Sequence, residues 1–324
     1  MSLTVKVLER YEDLPEFPEG SFFHSRELFR VTAATPGHHP LMAVAFREDG
    51  SVAAHLLACI RRRGSWLPPY LFTQGRIFGE GDYDTDVDRD ETFRLLLQSV
   101  TQRFQRPLCL YAEFSNISQK MFGYKAFREL GYFPVSWQEV HNSIHSIHLE
   151  ERLDKKIQAQ IGKCQQAGVT TRRLTSNDEV ATFYRLLRSY YHAKARMFIP
   201  HERYFSELKS SSHAHFFLTE YKGKAIGCCL TIYSGENAYL WYLAAKRKSH
   251  AAQHPATLTV WHAMKQAADD RCRHFYFMNA GLPFRKSSYR DFILSFGGKP
   301  VAKYRWFRFS FRWVNSFFSW LYRE

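Results

Sequence analysis

The chain writes one hairpin plan twice. Residues 41–60 read LMAVAFREDGSVAAHLLACI and residues 213–233 read HAHFFLTEYKGKAIGCCLTIY. Each is an apolar strand, a polar-glycine pair (Asp49-Gly50, then Lys222-Gly223) and a second apolar strand. Such pairs supply the positive backbone angles that a two-residue hairpin turn needs. The elements after each hairpin also match. The first is followed by an apolar run at 69–78, a helical pattern at 90–104, a short strand at 107–114, a helix and Gly131. The second is followed by a strand at 237–245, a helix at 255–270, a strand at 274–279, a helix and Gly297-Gly298. The turn glycine and the late glycine are 81 residues apart in the first copy (Gly50 to Gly131) and 74 in the second (Gly223 to Gly297). Common order and spacing over so long a period mean two copies of an α/β unit rather than a solenoid.

A length of 324 residues suits two domains, each large enough for its own core. The expected division is residues 1–148 and 149–324. The first domain opens with a helix near 24–33 and closes with a strand at 135–149. The helix-forming run LEERLDKKIQAQIGKCQQAGV (149–169) then leads into the second, stopping at Gly168. Ser176 and Asn177 cap an amphipathic helix over 175–195, and a short helix near 201–210 precedes the second hairpin. Hydrophobic content of 45% with 23% charged residues excludes wholesale disorder.

The six cysteines (59, 109, 164, 228, 229 and 272) show no C-x-x-C spacing and sit in apolar runs. They read as buried free thiols of a reducing compartment, with no metal site. No run approaches the ~20 apolar residues of a spanning helix, and MSLTVKVLERYEDLP lacks a signal pattern. The expectation is a cytoplasmic protein, at the inner face of the membrane if it is membrane-associated. The net charge of +14 admits an anionic partner: phosphates of a donor molecule, a nucleic acid or an anionic bilayer. A merely solubilising surface charge stands beside these readings.

This order of elements resembles the GNAT superfamily of N-acyltransferases, and the tandem arrangement is similar to its Fem-like group. The residues that carry the resemblance are LDKKIQAQIGKCQQAGV, the segment 203–233, and YFMNAGLPFRKSSYRDFILSFGGKPV (276–301) with its F-G-G. It implies an α/β (α+β) fold of two tandem GNAT-like domains, each a mostly antiparallel mixed sheet flanked by helices. It also implies acyl transfer from a thioester, acyl-CoA or acyl-carrier protein, to a small-molecule or lipid-linked amine such as a cell-envelope precursor. An aminoacyl-tRNA-dependent Fem-type ligase is the alternative, but residues 176–213 leave no room for the long helical arm of those enzymes. A non-catalytic nucleic-acid- or membrane-associated binding protein is a further alternative. The late motif departs from the family at Ile293, where a Lys commonly stands.

The chemistry asks for a donor held by its phosphates, an oxyanion donor and a route for one proton. In the GNAT fold a helix-opening loop holds the pyrophosphate. Here that loop is AAKRKSHAAQHPATL (244–258), so Lys246, Arg247, Lys248, Ser249 and His250 are the candidate donor-binding residues, and Pro255 is placed to start the helix. The loop lacks the superfamily's glycines, and a plain solvated turn is the competing reading. The matching loop of the first copy carries five aspartates between Asp82 and Asp90, which repel phosphate. It fails the calcium-loop pattern at Val87 and Phe93, and Asp88 and Asp90 suit the start of the next helix. The first copy is therefore expected to have no donor site and to serve as a wall of the acceptor groove.

For the reaction itself the candidates are Tyr242 and Asn279 at the central strand ends and His254 as a proton carrier, with Arg285, Lys286 and Arg290 on the acceptor. Core and turn roles compete for each. His141, His145 and His148 have no metal spacing and are read as incidental. The tail KYRWFRFSFRWVNSFFSWLYRE changes period from strand to helix, and Trp313, Val314, Phe317, Phe318, Trp320 and Leu321 share one helical face. Residues 310–324, with Arg312 and Arg323, are expected either to touch a membrane or to pack on their own domain or in a homodimer.

Overall fold

The computed structural model describes residues 3–18, 20–64, 71–105, 109–145, 148–192 and 199–322 and divides the chain into two compact units, 1–137 with 302–324, and 138–301. The starts of the expected strands at 69–78 and 107–114, residues 146–147, the end of the helix at 175–195, and Arg323 lie outside the described residues.

In the first unit β1 (Thr4–Leu8) and α1 (Arg26–Ala33) precede the hairpin of β2 (His38–Phe46) and β3 (Val52–Gly64). Then come β4 (Leu71–Phe78), β5 (Asp82–Tyr83), α2 (Arg89–Gln105), β6 (Tyr111–Ser115) and α3 (Tyr124–Glu129). β7 (Phe133–Ser143) begins here. The hairpin is not closed by two residues as its Asp-Gly pair suggests. Residues 47–51 form the loop, closed by Arg47 N–H on the Ser51 carbonyl (2.9 Å), while the Asp49 carboxylate accepts from Ser51 N–H (2.8 Å). The sheet order is β1-β2-β3-β4-β6, and α2 and α3 cover one face around Phe93, Phe114, Phe127 and Trp306.

The second unit contains α4 (Leu149–Arg152), α5 (Lys155–Gln166), β8 (Thr170–Arg173), α6 (Asp178–His192) and α7 (Glu202–Lys209). It continues with β9 (Ala214–Tyr221), β10 (Lys224–Ser234), β11 (Asn237–Ala245), α8 (Pro255–Asp269), β12 (His274–Gly281) and α9 (Ser288–Leu294). Here the turn is the two-residue form, with Lys222 and Gly223 at φ 49° and 70°. The helix expected over 149–169 is broken. Leu153 is extended, and Asp154 N–H bonds the Ser295 carbonyl (3.0 Å). The F-G-G run explains the break, because Gly297 (φ 83°) lies so close that a Cβ would sit 2.3 Å from the Arg152 carbonyl oxygen. At Gly298 a Cβ would meet Asn142 Oδ1 at 2.1 Å. Two glycines thus let the end of α9 seat on α4 and on β7.

The sequence reading places the division at 148/149 and gives the tail to the second domain; the compact units divide elsewhere. Gln138–Ser143 of β7 belongs to the second unit and pairs antiparallel with β12, from His274↔Ser143 to Phe277↔Val140. Conversely β13 (Lys299–Phe309) supplies residues from Ala302 onward to the first unit, pairing with β6 from Trp306↔Phe114 to Phe309↔Tyr111, and α10 (Arg312–Leu321) follows there. Each unit's sheet is completed by the strand that ends the other copy. The second sheet therefore runs β7-β12-β11-β10-β9-β8, with α5 and α8 over a core of Leu240, Leu258, Val260, Phe275 and Phe277. All six cysteines are buried and free. Among the described residues no helix is long and apolar enough to cross a membrane.

Several histidines are buried neutral. Burial, reinforced by His55, pushes His24 down to about 3; burial and Arg61 push His38 to about 3; burial and Arg173 push His215 to about 4. The unfolded chain binds these protons near pH 6.5 while the folded chain refuses them, so stability falls as pH drops from ~6.5 toward ~4. Burial also pushes His55 to about 4. Asp82, raised to about 6 by burial, works in the opposite sense and offsets one of the four. The net slope is on the order of 4 kcal/mol per pH unit at most. Urea midpoints should drop steadily between pH 7 and pH 5, and a flat midpoint over that range would show that these groups do not resist protonation.

Candidate active site

The two copies differ where each sheet has its parallel pair. In the first unit β4 and β6 stay paired to their ends, from Gln74↔Tyr111 through Phe78↔Ser115, and Gly79 N–H continues onto the Ser115 carbonyl (2.8 Å). In the second unit β11 and β12 pair only at Asn237↔His274, Ala238↔Phe275 and Tyr239↔Tyr276. Beyond that rung the strands part, although β11 runs on to Ala245 and β12 to Gly281. A ladder that stops in mid-strand leaves backbone groups in need of other partners. One is satisfied from α6, where the buried Tyr191 hydroxyl donates to the Leu243 carbonyl (3.1 Å).

Bulges accompany the fork. Opposite β10, Leu230 pairs with Tyr242 and Thr231 with Leu240, so Trp241 is the extra residue. The β12–β7 register also shifts between Phe277 and Gly281. An extra residue reverses which face the following side chains meet, and such bulges recur beside active sites. Leu240 and Leu243 therefore both enter the core, and Tyr242 turns to the opposite face, edge-on to Phe205 of α7 (5.3 Å).

The last rung carries a polar aromatic cluster on the face away from that core. Tyr239 and Tyr276 have ring centres 5.1 Å apart, and His141 of β7 lies 4.2 Å from Tyr276, its register partner. His141 Nε2 is 3.0 Å from a carboxylate oxygen of Glu139, which is 2% exposed. Burial, and then Glu139, raise the Tyr276 pKa. A histidine read as incidental is thus half of a buried carboxylate–imidazole pair at the apex of the fork. Trp137, Glu139, His141 and Ser143 share one strand face by alternation. That signal was present in the sequence, but reading it required knowing that β7 lies beside β12.

The candidates from the sequence fall into three places. Lys246, Arg247, Lys248 and Ser249 are exposed on the loop after β11, with His250 half-buried and its Nδ1 2.9 Å from Ser249 Oγ. Arg247 lies over the Phe292 ring (5.0 Å), tying this loop to α9. Pro255 is the first helical residue of α8, and His254 caps it from a left-handed conformation (φ 37°) with no side-chain cap bond. Burial, then Lys163 and Lys156, lower the His254 pKa. Tyr242 is buried, while Asn279 is exposed on the shifted part of β12. Arg285 and Lys286 are exposed on the turn before α9, but Arg290 is committed to that turn, donating to the Leu282 and Arg285 carbonyls (both 2.8 Å).

In the first unit Asp88 caps α2, accepting from Glu91 N–H (3.0 Å), and Asp84 and Asp86 pair with Arg47. A cavity of about 890 Å³ opens there, edged by four acids (Asp88, Asp90, Glu91 and Glu129) against two cations (Arg94 and Lys125). A smaller one of about 380 Å³ lies on the outer side of α8 beside Trp261 and Asp269, away from the fork. Among the described residues no group of three His, Cys, Asp or Glu side chains is placed to hold a metal ion.

Residues 152–286 match the family model described as an acetyltransferase (GNAT) domain. Solved structures share the whole arrangement at low identity. FemX is 12% identical with a TM-score of 0.62, covering 94% of this chain and 95% of its own. L-PGS from Bacillus licheniformis is 11% identical at 0.58 over 96% and 100%. A tandem GNAT protein from the clavulanic acid biosynthesis pathway is 11% identical at 0.58 over 96% and 99%. No curated protein matches in sequence. The chain therefore has the tandem GNAT fold of these structures, and the match to the acetyltransferase (GNAT) domain model falls in its second copy.

The grip of Arg290 on the turn predicts a structural effect of its loss. Arg290→Ala should destabilise the protein by about 1–3 kcal/mol, whereas Arg285→Ala and Lys286→Ala should stay within about 0.5 kcal/mol of wild type. Equal urea midpoints for all three variants would return Arg290 to the pool of free cations.

Proposed function

We propose that the protein is an N-acyltransferase that takes an acyl group from a thioester such as acyl-CoA and passes it to an amine. The observation that carries this reading is the fork between β11 and β12, set against the closed β4–β6 pair of the first unit. The thioester arm lies between the parted strands, beyond the last paired rung of β11 and β12. The cationic loop Lys246–Lys248 beyond β11 takes the donor phosphates. Charge distribution supports this, since residues 138–301 hold 24 Lys and Arg against 13 Asp and Glu.

At the apex, the acyl carbonyl meets the amine on the face lined by Tyr239, Tyr276 and His141. The amine nitrogen forms the new C–N bond, and the C–S bond then breaks with its electron pair leaving on sulfur. The nitrogen's proton passes to His141. With Nε2–H donated to Glu139, Nδ1 holds the lone pair that accepts it, and the buried carboxylate steadies the imidazolium that results. Glu139 is the positioning residue and His141 the proton acceptor.

The test is native mass spectrometry against CoA, acetyl-CoA, long-chain acyl-CoA, acylated carrier protein and aminoacyl-tRNA. One thioester donor should bind wild type and bind at least about tenfold more weakly to Lys246→Ala/Arg247→Ala, through loss of charge-assisted contacts. Retention of aminoacyl-tRNA alone would replace the thioester donor, and no binding of any donor would remove the acyl-transfer reading.

With the donor found, His141→Gln should lower kcat by about a hundredfold or more while donor affinity stays the same. Glu139→Gln should give a smaller fall and a displaced pH–rate profile. Unchanged kcat in His141→Gln would leave the pair as a packing feature only.

A further inference from the structure

The C-terminal helix α10 is fixed to the first unit along one side only. Asn315 accepts from Phe309 N–H (2.8 Å) and donates to the Gly131 carbonyl (2.9 Å). Phe318 stacks on Phe309 (4.9 Å) and Tyr322 on Phe133 (6.4 Å). The six apolar residues read as one face thus divide. Val314 and Phe318 are half-buried, while Trp313 (76% exposed), Phe317 (52%), Trp320 (65%) and Leu321 (52%) point outward at spacings of four, seven and eight. Phe311, also exposed, lies just before them. This is an anchored helix that shows solvent its larger aromatic side, not a frayed end.

We propose that this outward face docks the protein on an anionic bilayer surface. The residue types fit an interface, because an indole offers an apolar ring to the acyl boundary and an N–H to the headgroups. The charge fits as well. The helix α10 holds no Asp or Glu, and its one cation, Arg312, is exposed beside Trp313. A short helix with an aromatic side and a basic N-terminal end lies in the headgroup plane without crossing it. A second copy of the chain fits less well. The outward face is on the order of 500 Å², below the ~800 Å² per partner of a stable interface. The proposal does not depend on acyl transfer and is tested without substrate.

The experiment is co-sedimentation of the full chain with phosphatidylcholine vesicles, with and without a quarter phosphatidylglycerol, at low and physiological salt. Wild type should pellet with the anionic vesicles, more at low salt, and stay in solution with the neutral ones. Trp313→Ala/Phe317→Ala/Trp320→Ala should bind at least tenfold more weakly. Arg312→Gln should bind more weakly with less salt dependence. Unchanged thermal midpoints would show that the variants are folded, as expected for side chains already in solvent. Failure of wild type to pellet with anionic vesicles overturns the proposal. So does equal binding by the triple variant, or a wild-type dimer that the triple variant converts to monomer without any vesicle binding.

Discussion

A parallel strand pair is held by evenly spaced hydrogen bonds, and in the second unit those bonds stop after three rungs. Much of the candidate site depends on that stop. Carbonyl and amide groups past Tyr239 and Tyr276 need partners that a neighbouring strand would otherwise supply. Tyr191 answers for Leu243, and Arg247 over Phe292 links the segments that come after the two strands. The Trp241 bulge lets β11 leave its partner on one side while staying paired with β10 on the other. The tyrosines of the last rung then stand at the end of an opening rather than within a continuous sheet.

The first unit shows what the same plan becomes when the ladder closes. Beside the unbroken β4–β6 pair lies a buried ionic group: Glu113 with Arg76 and Arg305, the Arg305 guanidinium 3.9 Å over the Trp137 ring. Burial raises the Glu113 pKa, but Arg76, Arg305 and Arg61 together outweigh it and hold the carboxyl below its ordinary value. Removing one partner of such a group costs far more than the group itself contributes. Lys303, another residue of β13, is buried with its ammonium on the Ile117 and Ser118 carbonyls. The first copy has placed fixed charges along the sheet, each already committed to a partner within the unit.

Most of the architecture was legible because it is local. The 3.6 and 2.0 periodicities gave β11, α7 and α8 nearly to the residue, with Pro255 starting α8 as expected. The errors arose where tertiary contacts overrule local preference. The run 149–169 has the composition of one helix, yet the approach of Gly297 to the Arg152 carbonyl and the bond from Asp154 to Ser295 split it in two. The Asp49-Gly50 pair signals a tight turn, but the Asp49 carboxylate serves a five-residue loop instead.

The site was legible in part, for a reason specific to this chain. The basic loop at 246–250 announces itself by charge, and its place at the start of α8 is set by the element order. The Glu139–His141 pair announces nothing, because in sequence it belongs to the strand that ends the first copy. Its neighbour is Tyr276, 135 residues beyond His141 in the chain, brought beside it by the pairing of β7 with β12. Duplication normally lets each copy be read as a unit. Once closing strands are exchanged, residues that meet in space are divided between copies, and a carboxylate–histidine pair two residues apart looks like ordinary strand polarity. Its burial is the distinguishing feature: a carboxylate 2% exposed in a face of tyrosines is costly to keep without a partner, and His141 is the partner the structure provides.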